Sequence, residues 1–278
     1  MFCKKLVAIA LFMCTGLVYA FAPQAGTWVV TSEVDGKPGR GLAMDVQNTT
    51  LVMQMYAYES NGQPTFYLAV GNVVDNKVTA PLTRYTGGRY FGSGAQSGTA
   101  AGSPGNVSIR FTSGVTGFIT FPNEDEVAIS RFNFGYPFAP SGLKGIWSFT
   151  SMGSLGLWSD AADLTVTGSS TSTGNGIVAS ADGLFGCEHQ VSGSLAGTVL
   201  CVMLDAQGQL QRAYWFTYSV NEGEGRQLTA SGILTNQLVS IRRLTTPSGM
   251  GTGIMFKNTE QPAPDLTALE QQLSQLAA

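Results

Sequence analysis

The chain has 278 residues, 35 of them glycine, with 44% hydrophobic, 10% aromatic and only 12% charged residues and a formal net charge of −3. This apolar and aromatic content excludes a disordered chain, and the acidic balance lacks the basic footprint that nucleic acid requires. Glycine, serine and threonine punctuating short apolar runs make instead the composition of an all-β protein with many turns.

Lys4 and Lys5 precede the apolar run Leu6 to Val18, and Val18-Tyr19-Ala20 puts small residues at the −3 and −1 positions of a signal-peptidase site. The run is shorter than the roughly 20 residues of a membrane span. Residues 1–20 therefore read as a secretory signal peptide cleaved after Ala20. A lipoprotein signal at Cys14 is disfavoured by Met13 in front of it. No later segment reads as a spanning helix, so the expected location is secreted or periplasmic. Cleavage removes Lys4 and Lys5 and leaves 13 basic against 18 acidic residues, a charge of −5. It also removes Cys3 and Cys14, so the mature chain keeps only Cys187 and Cys201. An even pair in an exported protein reads as one disulfide.

Alternating runs follow in order: TWVVTSEV, GLAMDVQ, LVMQMYAYES, PTFYLAVGNVV, KVTAPLTRY, NVSIRF, TGFITF and EVAISRF. Turn residues separate them, among them Asp35-Gly36, Asn61-Gly62, Asp75-Asn76 and Gly87-Gly88. Asn-Gly and Asp-Gly between alternating runs signal hairpins, because their turns need positive φ. The spacing leaves no room for crossover helices, so antiparallel neighbours are expected. Residues 93–104, rich in Gly, Ser and Ala, read as a flexible loop. Two prolines and a glycine within residues 136–142 mark a linker between domains 21–135 and 143–246.

The second half repeats the plan with GIWSFTSM, DLTVTG, GIVASA, LFGCEHQV, TVLCVMLD, RAYWFTYSV, RQLTASGIL and LVSIRRL. In the tail, residues 247–278, Leu266, Leu269, Leu273 and Leu276 recur at helical spacing behind Asp265, which predicts a short amphipathic helix with Asp265 as its cap. Cys187 and Cys201 flank the turn Gly193 to Gly197, and their midpoint is residue 194, so a hairpin turning there places them opposite each other.

Each half opens on Gly-x-Trp, at Trp28 and Trp147, and closes on V-x-I-x-R, at Arg131 and Arg243. In a closed barrel the last strand pairs with the first, so each Trp would plug one end with its Arg laid across it. Gly-x-Trp with a closing Arg is similar to the signature of the calycin group: lipocalins, fatty-acid-binding proteins and avidins. The resemblance rests on about four residues per half and implies two tandem antiparallel eight-stranded barrels. Gly39-Arg40-Gly41-Leu42, Tyr56-Ala57-Tyr58 and Asn61 to Tyr67 resemble a second pattern, a module of uncharacterised exported proteobacterial proteins. Phe66 stands where that module carries Trp. This likeness implies a bacterial envelope protein and no particular activity.

No catalytic constellation is legible. His189 is the sole histidine, and its neighbour Glu188 points to the opposite face of a strand. Asn123 to Glu126 gathers three carboxylates without a regular calcium-loop spacing and reads as a solvated hairpin tip. The remaining carboxylates are scattered at turns, so neither paired-acid chemistry, nor a metal site, nor a cofactor is expected. The candidate ligand contacts are Arg40, Tyr56, Tyr58, Phe66, Tyr67, Tyr214 and Trp215. The sequence thus points to an exported binding protein, not an enzyme, whose partner is a small apolar ligand, a glycan or a protein. The alternatives are a peptidase inhibitor with a threading N-terminal arm and a structural component of the cell surface.

Overall fold

The structure is a computed structural model and describes residues 22–251 and 264–277. The expected signal peptide, its two cysteines and part of the tail lie outside the described residues. The chain is all-β, built as two curled antiparallel sheets that each form a half-barrel, with a short helix near the C-terminus.

The first sheet contains β1 (Gly26–Val30), β2 (Gly41–Gln47), β3 (Thr50–Tyr58), β4 (Pro64–Asn72), β5 (Lys77–Pro81), β6 (Thr83–Thr86), β7 (Thr99–Ala100), β8 (Asn106–Phe111), β9 (Thr116–Thr120) and β10 (Val127–Arg131). Their lateral order is β5-β8-β9-β10-β1-β2-β3-β4-β6-β7. Alternation sends one side chain in two to the concave face, as on β3, where Leu51, Met53 and Met55 are buried between exposed or half-buried neighbours. Asp75 and Asn76, both at positive φ, make the tight turn from β4 to β5.

Three readings change here. The run TWVVTSEV is not one strand: β1 ends at Val30 and a 3₁₀ turn, Thr31–Glu33, follows. The segment 93–104 is not wholly loop, because Thr99–Ala100 pairs with Tyr85 and Thr86. KVTAPLTRY likewise divides at Leu82, whose side chain is buried while its N–H donates to the carbonyl of Gly105.

The second sheet contains β11 (Gly145–Gly153), β12 (Gly156–Leu164), β13 (Val166–Thr167), β14 (Gly174–Ala179), β15 (Phe185–Gln190), β16 (Val199–Leu204), β17 (Leu210–Ser219), β18 (Glu222–Leu228) and β19 (Leu234–Arg243). The order is β12-β11-β19-β18-β17-β16-β15-β14-β13. Cys187 and Cys201 face each other across β15 and β16 and are joined by a disulfide.

β15 is buried throughout and β16 nearly so, on both faces. The concave side meets the core, and α2 (Thr267–Ala277) lies on the convex side. There Leu266, Leu269, Leu273 and Leu276 pack against Ile177, Leu200, Val202 and Leu228. Asp265 caps the helix by accepting from the N–H and hydroxyl of Thr267.

In both sheets the first strand pairs with the last, with Trp28 opposite Arg131 and Trp147 opposite Arg243. Each indole N–H donates to the carbonyl four residues earlier, of Gln24 and of Leu143. Arg131 donates to the Thr27 carbonyl at 2.6 Å. Arg243 lies 4.1 Å over the Trp147 ring and donates to the carbonyls of Gly142, Lys144 and Val220.

The glycine two before each Trp is at positive φ, +128° at Gly26 and +114° at Gly145. A Cβ at Gly26 would stand 2.5 Å from Arg131 Nη1, and one at Gly145 would meet the Thr245 carbonyl. The positive φ favours glycine at both positions, and at Gly145 the facing backbone also leaves no room for a side chain.

Candidate functional site

The concave faces are filled with side chains. In the first half Trp28, Met53, Ile119 and Ile129 are almost wholly buried, and Phe111 meets Trp28 edge-on at 5.6 Å. In the second half Trp147, Phe149, Phe185, Tyr214, Phe216 and Tyr218 form a chain of ring contacts beside the disulfide. Aromatic side chains of this size leave their place only at high cost.

On the convex face of the first sheet, β3, β4 and β6 lie side by side. Tyr56 pairs with Phe66, Gln54 with Leu68, and Leu68 with Thr83. The same register carries Phe66 opposite Tyr85. Tyr56, Phe66 and Tyr85 therefore form one transverse row, each on a neighbouring strand about 5 Å from the next. All three are exposed, at 55%, 49% and 36%. The Tyr56 hydroxyl reaches Gln54 Oε1 at 3.4 Å, so this side chain leans along its strand.

The glycine-rich loop after β6 borders the row and completes a cleft of about 800 Å³, lined also by Gln54, Leu68 and Arg89. Tyr90 and Phe91 stand exposed on that loop. Arg89 is the single charged residue in the lining. Nearby, Arg84 is engaged by Glu59 at 2.8 Å and by the Ala101 carbonyl.

The seven expected contact residues do not form one site. Tyr56 and Phe66 line this cleft, and Tyr58 is exposed two residues further along β3. Tyr67 turns inward and packs on the core. Arg40 is held by Glu33 and Glu124 and lies 4.2 Å over Phe121, which ties the turn after β1 to the turn before β10. Two of the three carboxylates of the Asn123–Glu126 tip are thus taken up separately, Glu124 by Arg40 and Glu126 by Arg110. Tyr214 is buried and donates to Asp160, which Arg212 also grips at 2.6 Å. Among the described residues no group of three metal-ligating side chains comes together.

Tyr85, Gln54 and Arg89 were missed by sequence reasoning. Tyr85 falls on the outward parity of its strand, but only the register with β4 reveals that it continues the row.

Trp215 lines a second cleft of about 750 Å³ where the two halves meet, with Gln24, Met152, Glu224, Arg226 and Leu238. Glu224 is pressed against Gly114 of the first half, and burial raises its carboxyl above the ordinary range. The segment before β1 is fixed in this cleft. The Gln24 N–H donates to the Gly114 carbonyl and its side-chain amide to the Glu222 carbonyl.

His189 is fully buried. Its Nε2 is 2.9 Å from the Tyr218 hydroxyl, and Phe138 of the segment between the halves lies 4.1 Å from its ring. Tyr218 donates to the Gly142 carbonyl and so accepts from Nε2–H. A second proton would have to sit on Nδ1, which is buried without a partner. Burial accordingly lowers the imidazole pKa to about 4. Within the described residues, no helix is long and apolar enough to cross a membrane. The chain matches no protein-family model, no curated protein and no solved structure.

Proposed function

We propose that this protein is an exported, non-catalytic binding protein of the bacterial envelope or secreted space. On this reading it consists of two tandem eight-stranded, calycin-like barrels and takes its ligand on the outer face of the first. The strand count is supported by register. β4 meets β5 at Val74–Lys77 and β6 at Tyr67–Arg84 and Leu68–Thr83, all in one register, so β5 and β6 act as one strand. β7 and β8 flank that strand on its other side. In the second half, β12 and β13 run on through Thr165, leaving β11 for β14. Counted so, each half has eight strands, first paired to last. The Trp–Arg pairs at the junctions of first and last strand support the calycin likeness, and the Cys187–Cys201 disulfide fits an oxidising compartment.

The observation that carries the binding role is the exposed row Tyr56–Phe66–Tyr85, set in a nearly uncharged cleft, while the concave faces are filled. Exposed aromatic rings clustered with a few polar groups are the makings of a recognition surface. A small apolar ligand inside a barrel is less favoured, since large rings occupy that space. The inhibitor reading needs a free N-terminal arm, and Gln24 is tied down. The structural reading relied on the leucine stripe, which its own sheet covers.

The test uses the chain from Phe21 onward and its Tyr56→Ala/Phe66→Ala double variant on glycan and peptide arrays. The original chain should be retained on one class, and the double variant at least tenfold more weakly. Equal retention of both proteins would move the ligand off this face and end the proposal.

A further inference from the structure

We infer that the ligand of the Tyr56–Phe66–Tyr85 face is a neutral, extended, β-linked polysaccharide laid across the strands, an inference that rests on this face being the binding site. Three features select that chemistry. The first is shape. The three rings stand on adjacent strands whose backbones lie about 5 Å apart, so together they make an exposed aromatic strip across the sheet that an extended chain can follow. A row of this kind accepts a polymer of repeating flat units.

The second is surface chemistry. One face of a pyranose ring presents C–H bonds, whose slightly positive hydrogens suit the negative face of an aromatic ring. Its hydroxyls point outward at the rim. Gln54 supplies an amide, Thr86 a hydroxyl and Arg89 a guanidinium at the margins of the cleft, where those hydroxyls would lie. A single cation in the lining is too little to gather a polyanion.

The third excludes the main competitor. An extended peptide is usually captured by main-chain bonding at a free sheet edge. Here the row crosses the face of the sheet. β4 is paired on one side with β3 and on the other with β6, and β6 is in turn paired with β7. Along the row the backbone of β3 and β4 is paired, and what the face offers is ring surface with side-chain polar groups.

The experiment is a titration of the nitrogen-15-labelled chain from Phe21 onward, followed by amide chemical shifts, with cellohexaose, with cellobiose and with an uncharged extended peptide. Cellohexaose should give saturable shifts centred on residues 54–56, 66–68 and 85–89. Cellobiose, too short to cover three rings, should bind at least tenfold more weakly. Tyr85→Ala should weaken cellohexaose at least tenfold, and Tyr85→Phe should keep most of the affinity. The same spectra report that both variants are folded. Absence of saturable shifts with cellohexaose, or shifts centred elsewhere, overturns the polysaccharide assignment. Peptide shifts at these residues in place of sugar shifts would overturn it too while leaving the face as the binding site. Sugar binding unchanged by Tyr85→Ala would likewise defeat it.

Discussion

His189 shows what one buried residue can govern. Its pKa in the folded chain, about 4, lies below the ordinary 6.5. The unfolded chain therefore binds the proton more readily. The stabilisation is complete above the unfolded value and is lost as pH falls through 6.5 towards 4, amounting to about 3 kcal/mol when loss is complete. His189→Gln keeps a donor for Tyr218 but does not titrate, so its denaturant midpoint should fall less between pH 7 and pH 4. A parallel decline in both proteins would mean that other groups drive the acid limb. The sequence placed His189 on a strand but did not show that it is buried. Its burial comes from Phe138 and Tyr218, which are 51 and 29 residues away.

Elements were legible where a turn residue has a local reason to be there. Asn61-Gly62 and Asp75-Asn76 mark turns because their residues reach positive φ cheaply, as Gly62, Asp75 and Asn76 do. The division at Leu82 was not legible. Nothing in LTRY shows that β5 pairs with β8 while β6 turns to β4 and β7, since partner choice is a tertiary matter. TVLCVMLD read as a strand, but its burial on both faces was not legible for the same reason, because the cover on its outer face is α2. That helix belongs to the fold and is more than a tail. Leu269 and Leu273 are fully buried, so Leu269→Ala should cost about 2–5 kcal/mol in thermal or urea unfolding. Gln271→Ala, on the exposed side, should stay within about 0.5 kcal/mol. Equal effects would detach the helix from the second half in solution.

Across the whole molecule the two halves share a plan but not a balance of contacts. Arg243 is almost wholly buried and serves three carbonyls, two from the segment leading into β11 and one from the turn between β17 and β18. Arg131, by contrast, has one carbonyl partner in Thr27. Hydrogen bonds to a charged group contribute about 1.5–3 kcal/mol, and carbonyls left buried without a donor add to the loss. Arg243→Ala should therefore destabilise the chain by several kcal/mol, about 3 or more, and Arg131→Ala by clearly less. Matching losses would show that the two ends are held alike. The motif that announces these pairs was visible in sequence because it repeats. The binding face was only half visible, since Tyr56 and Phe66 stand out as residues but their alignment with Tyr85 depends on three strands.

The pairing of first strand with last also sets a timetable. Trp28 and Arg131 are 103 residues apart, and Trp147 and Arg243 are 96. At a synthesis rate of about 5–20 residues per second, β1 waits roughly 5–20 s for its closing partner, with one hydrogen-bonding edge bare throughout. β11 then waits nearly as long. During each interval the growing chain offers an open β-edge beside uncovered apolar side chains, a combination prone to pairing with the wrong strand. A chain of this design is most vulnerable before its last strand is made, and the hazard arises twice.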